Sequence, residues 1–243
     1  MRDWLTARPV AHRGLHDAAA GVIENTPSAF RAAIAGSYAI ECDLQITADG
    51  EAMVHHDDAL GRLTDGTGRL ADLPAADLKR VPFKATGDHM LTLGELCDLV
   101  GGRVTLFLEL KSRFDGDLRL AERAANVLRS YGGPVALMSF DPEPVARLKT
   151  IAPALTRGLV AQRRDRANRD EKESRHGIRY AGRALSAGLQ FLAYRVKDLP
   201  SPLPFIARNI MRLPLLTWTV RTAEDRERAQ AWADQMIFEG FRP

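Results

Sequence analysis

Residues 39–45 read AIECDLQ, and residues 104–111 read VTLFLELK. Both are short apolar runs whose polar residues stand two apart: Glu41 and Asp43 in the first, Glu109 and Lys111 in the second. In a strand, residues two apart share a face, so Glu41 and Asp43 project together while Cys42 points the other way. Six further runs are of the same kind: PVAH at 9–12, PVALMSF at 134–140, TRGLVA at 156–161, LQFLAY at 189–194, PLLTWTV at 214–220 and ADQMIF at 233–238. They alternate with longer helical patterns, the signature of βα units on a parallel sheet. Eight such strands predict an α/β fold, a closed (β/α)8 TIM barrel, and 243 residues fit it as one domain, 1–243.

Residues 57–100 do not fit a single βα unit. GRLTDGTGRLADLPAADLKRVPF is crowded with turn residues, and the segment reads as a small insertion after the second strand, lying over the barrel mouth. Thr26-Pro27 and Asp141-Pro142 have the form of a capping residue followed by proline in the first helical position. The charge run at 162–179 reads as a solvated face in preference to a docking surface for an acidic partner.

Hydrophobic content of 45%, charged content of 27% and a net charge of +3 are ordinary for a globular protein and give no indication of nucleic-acid binding. Two cysteines, Cys42 and Cys97, cannot build a disulfide framework and favour a reducing compartment. The N-terminus, MRDWLTARPVAHRG, has charges where a secretion signal needs an apolar core. No apolar run approaches the roughly 20 residues needed to span a bilayer. These features predict a cytoplasmic protein with no stable membrane anchor; they leave the oligomeric state open.

Active sites of this barrel class lie at the C-terminal ends of the strands. His12 and Arg13 end the first run, Glu41 and Asp43 the second, Glu109 and Lys111 the third, and Trp218 lies near the end of the seventh. Each has a structural explanation when taken alone; their joint placement at one face does not. Carboxylates sharing a small volume need a cation, and hard oxygen donors favour Mg²⁺ or Ca²⁺ over a soft transition metal.

The motifs AHRG at 11–14, IENT at 23–26, ECD at 41–43, HD at 56–57, ELK at 109–111 and WTVR at 218–221 resemble, in order and spacing, those of the glycerophosphodiester phosphodiesterases. The resemblance is dense over residues 9–160 and thinner beyond. It implies metal-dependent hydrolysis of small glycerophosphodiesters to glycerol 3-phosphate and an alcohol. It also implies a divalent ion on Glu41, Asp43 and Glu109, with His12 and His56 as the acid/base pair. Arg13 and Lys111 then contact the phosphate, Trp218 lines the substrate, and Glu24 and Asn25 orient Arg13 or the metal ligands or else cap a helix. The motif places its histidine directly before an aspartate, which selects His56 and leaves His55 as a packing residue.

The chain departs from the family pattern at Ile23, in place of proline, at Arg221, in place of asparagine, and in its ending IFEGFRP. Arg221 suggests a preference for anionic head groups. Ser139 and Phe140 are further candidates for the pocket wall. Two other functions remain: a lysophospholipase D-type or cyclising lyase acting on lipid phosphodiesters, and a catalytically silent barrel that binds phosphate esters.

Overall fold

The computed structural model describes residues 3–163, 182–184 and 186–243. Of the charge run at 162–179, all but Gln162 and Arg163 lies outside the described residues. All eight apolar runs form strands: β1 (Val10–His12), β2 (Ala39–Ile46), β4 (Leu106–Leu110), β5 (Val135–Ser139), β6 (Thr156–Ala161), β7 (Phe191–Arg195), β8 (Leu215–Val220) and β9 (Gln235–Phe238). Each pairs in parallel with the next, and β9 returns to β1, which closes the barrel. Among the described residues no helix is long and apolar enough to cross a membrane.

Strand alternation sorts the side chains into two layers. Val10, Ala39, Phe107, Ala136, Met138, Val160, Phe191, Ala193, Leu216 and Ile237 fill the barrel interior. Ala11, Ile40, Cys42, Leu108 and Leu137 face outward and pack with the helices α1 (Pro27–Ala35), α3 (Leu93–Val100) and α4 (Arg119–Leu128). Helix starts follow the local chemistry. Thr26 caps α1 with Pro27 in its first turn, and Asp141 caps α5 (Pro142–Ile151) by accepting from the Glu143 amide at 2.9 Å.

The sequence gives little sign of β3 (Ala52–Val54), which pairs antiparallel with β2. Its three residues are all apolar and buried, so no alternation marks it, and only the Ala48-Asp49-Gly50 turn, with Gly50 at φ 80°, signals the hairpin. The hairpin returns the chain to the mouth of the barrel. The His55 amide donates to the Asp43 carbonyl at 3.0 Å, and the Gln45 side chain donates to the His56 carbonyl at 2.9 Å. Beyond it a satellite core of Met53, Leu70, Leu78, Phe83 and Met90, with Ile23, fills the segment up to residue 92, which includes the short helix α2 (Ala75–Leu78). From Thr92, which forms a capping box with Glu95, the chain enters α3; this helix packs against α1 and α4 and belongs to the outer ring. The part that departs from the βα repeat therefore stops short of residue 100.

The turn after β1 is tightly specified. Gly14 has φ 80°, and a Cβ there would lie 2.8 Å from Ala29 Cβ and 2.9 Å from the Ala29 carbonyl carbon in α1. Gly14→Ala is expected to lower unfolding stability by about 2 to 5 kcal/mol, combining a left-handed alanine with overpacking against backbone. Denaturant unfolding checks this; a loss within about 0.5 kcal/mol, ordinary for a surface site, contradicts it.

Candidate active site

Each strand delivers its site residue by the same step. Two positions beyond an interior apolar residue, the next inward side chain emerges at the C-terminal mouth: Val10 leads to His12, Ala39 to Glu41 and Asp43, Phe107 to Glu109 and Lys111, and Leu216 to Trp218. His12, Arg13, Glu41, His56, Glu109, Lys111 and Trp218 line one cavity of about 580 Å³, while Asp43 is buried beside it. Trp218 packs edge-on against Phe140, and its indole N–H donates to the Ala193 carbonyl at 3.3 Å. Phe140 lines the cavity too, whereas Ser139 is buried and donates to the Leu110 carbonyl at 2.7 Å.

Glu41, Asp43 and Glu109 each offer a carboxylate oxygen within 4.8 Å of the other two, and all three are buried. Two cations answer them. Arg13 Nε lies 3.3 Å from Asp43 Oδ2; Lys111 Nζ lies 2.8 Å from Asp43 Oδ1 and 2.6 Å from Glu109 Oε1. Burial opposes ionisation of Asp43, but Lys111 and Arg13 outweigh it and hold this carboxyl well below the usual range. Burial pushes Glu41 well above that range, and the charges of Asp43 and Glu109 add to it. Burial also raises Glu109, against the opposing pull of Lys111. The only hydrogen bond to the Glu41 carboxylate among the described residues comes from the Arg13 amide at 3.1 Å, which φ 57° at Arg13 aims inward. Three acids against two cations, on oxygen donors alone, make a set that fits one hard divalent ion.

Glu24 and Asn25 stand behind this cluster. Glu24 Oε1 accepts from Arg13 Nη1 at 2.8 Å and from Arg62 Nη2 at 2.6 Å. Asn25, in the left-handed conformation at φ 56°, donates from Nδ2 to Asp43 Oδ2 at 2.8 Å. Capping belongs to Thr26, so both side chains are free to orient Arg13 and Asp43.

The two adjacent histidines part company. His55 is buried with its ring near that of Phe83, while His56 lines the cavity with Nδ1 2.8 Å from Asp57 Oδ1. Asp57 is clamped in turn by Arg62, which burial does not offset, and its pKa falls to about 2. His12 is held by a residue absent from the sequence-based site: Glu239 meets its Nδ1, lies 3.6 Å from His16 Nε2 and accepts from Arg221 Nε at 2.5 Å. Burial lowers the His12 pKa, the Glu239 hydrogen bond opposing; burial would raise Glu239, but His12 and His16 draw it far down. The departures at Arg221 and in IFEGFRP are thus partners. The signal for Glu239 was present, because Ile237 faces the interior and Glu239 stands two residues on, but the apolar run ends at Phe238.

A (β/α)8 barrel with a buried carboxylate cluster and two carboxylate-held histidines at its C-terminal mouth has the side chains that a metal-assisted acid/base site would use. The family model described as the Glycerophosphoryl diester phosphodiesterase family matches residues 12–241, and the chain belongs to that family. Its relatives include the glycerophosphodiester phosphodiesterase of Caldanaerobacter subterraneus subsp. tengcongensis, 31% identical over 163 residues that cover 63% of this chain and 66% of the relative. Another is human glycerophosphodiester phosphodiesterase 1, 43% identical over 169 residues, covering 61% and 46%. The chain thus spans 66% or less of the length of these relatives. The fold is also that of an Oleispira antarctica phosphodiesterase solved with the product sn-glycerol-3-phosphate, with TM-score 0.79, 20% identity, and 97% and 94% of the two chains covered. The Thermotoga maritima glycerophosphodiester phosphodiesterase shares it too, with TM-score 0.71, 21% identity, and 95% and 94% covered.

Proposed function

We propose that residues 1–243 act as one catalytic domain that hydrolyses glycerophosphodiesters to sn-glycerol 3-phosphate and an alcohol, with a divalent cation, Mg²⁺ or Ca²⁺, as cofactor. The observation that carries this reading is the set of three buried carboxylates within 4.8 Å of one another, two of them lining a cavity with two histidines, in a member of this family. Glu41, Asp43 and Glu109 would hold the ion, whose contribution when bound is Lewis-acid charge at the phosphate's non-bridging oxygens. Two buried free thiols support a reducing, cytoplasmic setting.

His12 and His56 act as the proton-transfer pair. Glu239 on Nδ1 of His12, and Asp57 on Nδ1 of His56, fix the tautomers so that Nε2 of each ring is the nitrogen free to exchange a proton. Burial keeps His12 neutral at higher acidity than a free imidazole, which suits a base. Arg13 and Lys111 offset the repulsion among the carboxylates and add positive charge at the cavity floor, where the phosphate's oxygens gather negative charge. Trp218 and Phe140 give the substrate an apolar wall.

Glu239→Gln retains the shape but weakens the hold on His12, and it is expected to lower kcat by about 10- to 100-fold with a smaller change in KM. Steady-state kinetics check it; an unchanged kcat removes Glu239 from the proton path. The reading as a whole is tested by product identity. Glycerophosphocholine should give glycerol 3-phosphate and choline, whereas phosphocholine and glycerol would place the scissile bond on the wrong side of phosphorus.

A further inference from the structure

The cations of the cavity are unequally committed. On its floor, Arg13 and Lys111 are tied to Glu24, Asp43 and Glu109. On its outer wall stand Arg195, the last residue of β7, with Lys197 and Arg221 just past the ends of β7 and β8. Lys197 Nζ lies 2.8 Å from Asp225 Oδ1, and Arg221 Nε lies 2.5 Å from Glu239 Oε1. Arg195 has no acidic partner among the described residues, and it is exposed. Its position is set by the strand: Phe191 and Ala193 face the barrel interior, so Arg195, two residues further, emerges on the same side, in register with Trp218. Gln162 and Thr222 line the cavity as well and offer neutral hydrogen-bonding groups.

A second cavity of about 550 Å³ opens on the other side of His56 and Lys111, which line both. It contains Asp57, Asp58, Asp115 and Asp117 beside Arg113 and Arg119; Arg113 too has no acidic partner among the described residues, but acids outnumber lysines and arginines there, whereas lysines and arginines outnumber acids in the cavity that Arg195 lines. A phosphodiester seated at His56 and Lys111, which line both cavities, would send one arm into each. Its glycerol arm is uncharged, so an anionic group can only be on the alcohol arm, and the cavity with the excess of cations suits it better than the one with the excess of acids.

We infer that the Arg195 wall is the subsite for the alcohol arm, and that the preferred alcohol carries an anionic group, a carboxylate or a second phosphoryl group, which Arg195 binds. The inference rests on the phosphodiesterase reading and names its substrate class. Arg221, to which the sequence pointed for an anionic head group, lines the same cavity and gives its Nε to Glu239. Arginine's planar fork suits carboxylate and phosphate oxygens alike. Because the residue is exposed, the gain is modest and salt screens it.

The test uses two substrate pairs: glycerophosphoserine against glycerophosphoethanolamine, which differ by a carboxylate, and bis(glycerophospho)glycerol against glycerophosphoglycerol, which differ by a second phosphodiester. At low salt, kcat/KM is expected to favour the more anionic member of at least one pair by about tenfold, carried mainly by KM. The pair that shows the preference identifies the anion. Arg195→Gln should bring that ratio to within about twofold, Arg195→Lys should keep part of it, and 0.5 M salt should shrink it, as screening requires. Turnover of all four substrates with no such preference, or a preference that Arg195→Gln leaves intact, overturns the inference alone. No turnover of any substrate overturns the phosphodiesterase reading and this one with it.

Discussion

His12→Ala and His56→Ala are each expected to lower kcat on a glycerophosphodiester by about 10²- to 10⁴-fold, the usual cost of a positioned acid or base. Both rings line the cavity, and both have Nδ1 engaged by a carboxylate, from Glu239 and Asp57. The adjacent His55 is the control. It is buried near Phe83, with no hydrogen bond to its ring among the described residues, and His55→Phe should keep most of the activity, changing mainly stability. Kinetics on folded protein, verified by circular dichroism and metal binding, decide the matter. Activity that survives His56→Ala but not His55→Phe would reverse the roles of the two.

Removing an acid from the carboxylate cluster should have an effect at least as large. Glu41→Ala and Glu109→Ala are expected to reduce turnover to background, because either change leaves two donors where three converge, and added Mg²⁺ or Ca²⁺ should rescue neither. Two acids would then stand against Lys111 and Arg13, a balanced set, so the variants are expected to fold; their thermal unfolding should lack the dependence on added divalent ion expected of the wild type. Glu41→Asp, with the carboxylate drawn back by one methylene, should recover part of the activity at high metal concentration. Wild-type turnover in Glu41→Ala would remove this residue from the metal site.

Much of the architecture was legible because the chemistry of a barrel strand is written with period two. AIECDLQ alone shows which residues enter the site and which, like Cys42, face the helices, and the same alternation orders Glu109 with Lys111. What escaped lay where that period has no room to show itself. β3 is three buried apolar residues, and its role in returning His55 and His56 to Asp43 depends on a hairpin pairing that composition does not reveal. Glu239 and Arg195 were missed for a different reason. An apolar run ends where hydrophobicity stops, but the strand geometry continues into the next inward position, and at a barrel mouth that position is polar. The pairing of Glu239 with Arg221 follows from the β8–β9 register, which sets Val220 beside Phe238, whereas the hold of Glu239 on His12 required the closed barrel, which returns β9 to β1.

The measurement that bears most directly on the account is the release of sn-glycerol 3-phosphate from glycerophosphoglycerol by the wild-type protein, followed before chelation, after exhaustive chelation, and after Mg²⁺ or Ca²⁺ is returned. Turnover, its loss with the metal and its recovery on readdition are expected, with the phosphate remaining on the glycerol 3-phosphate product throughout. Full turnover in the chelated protein would contradict the account.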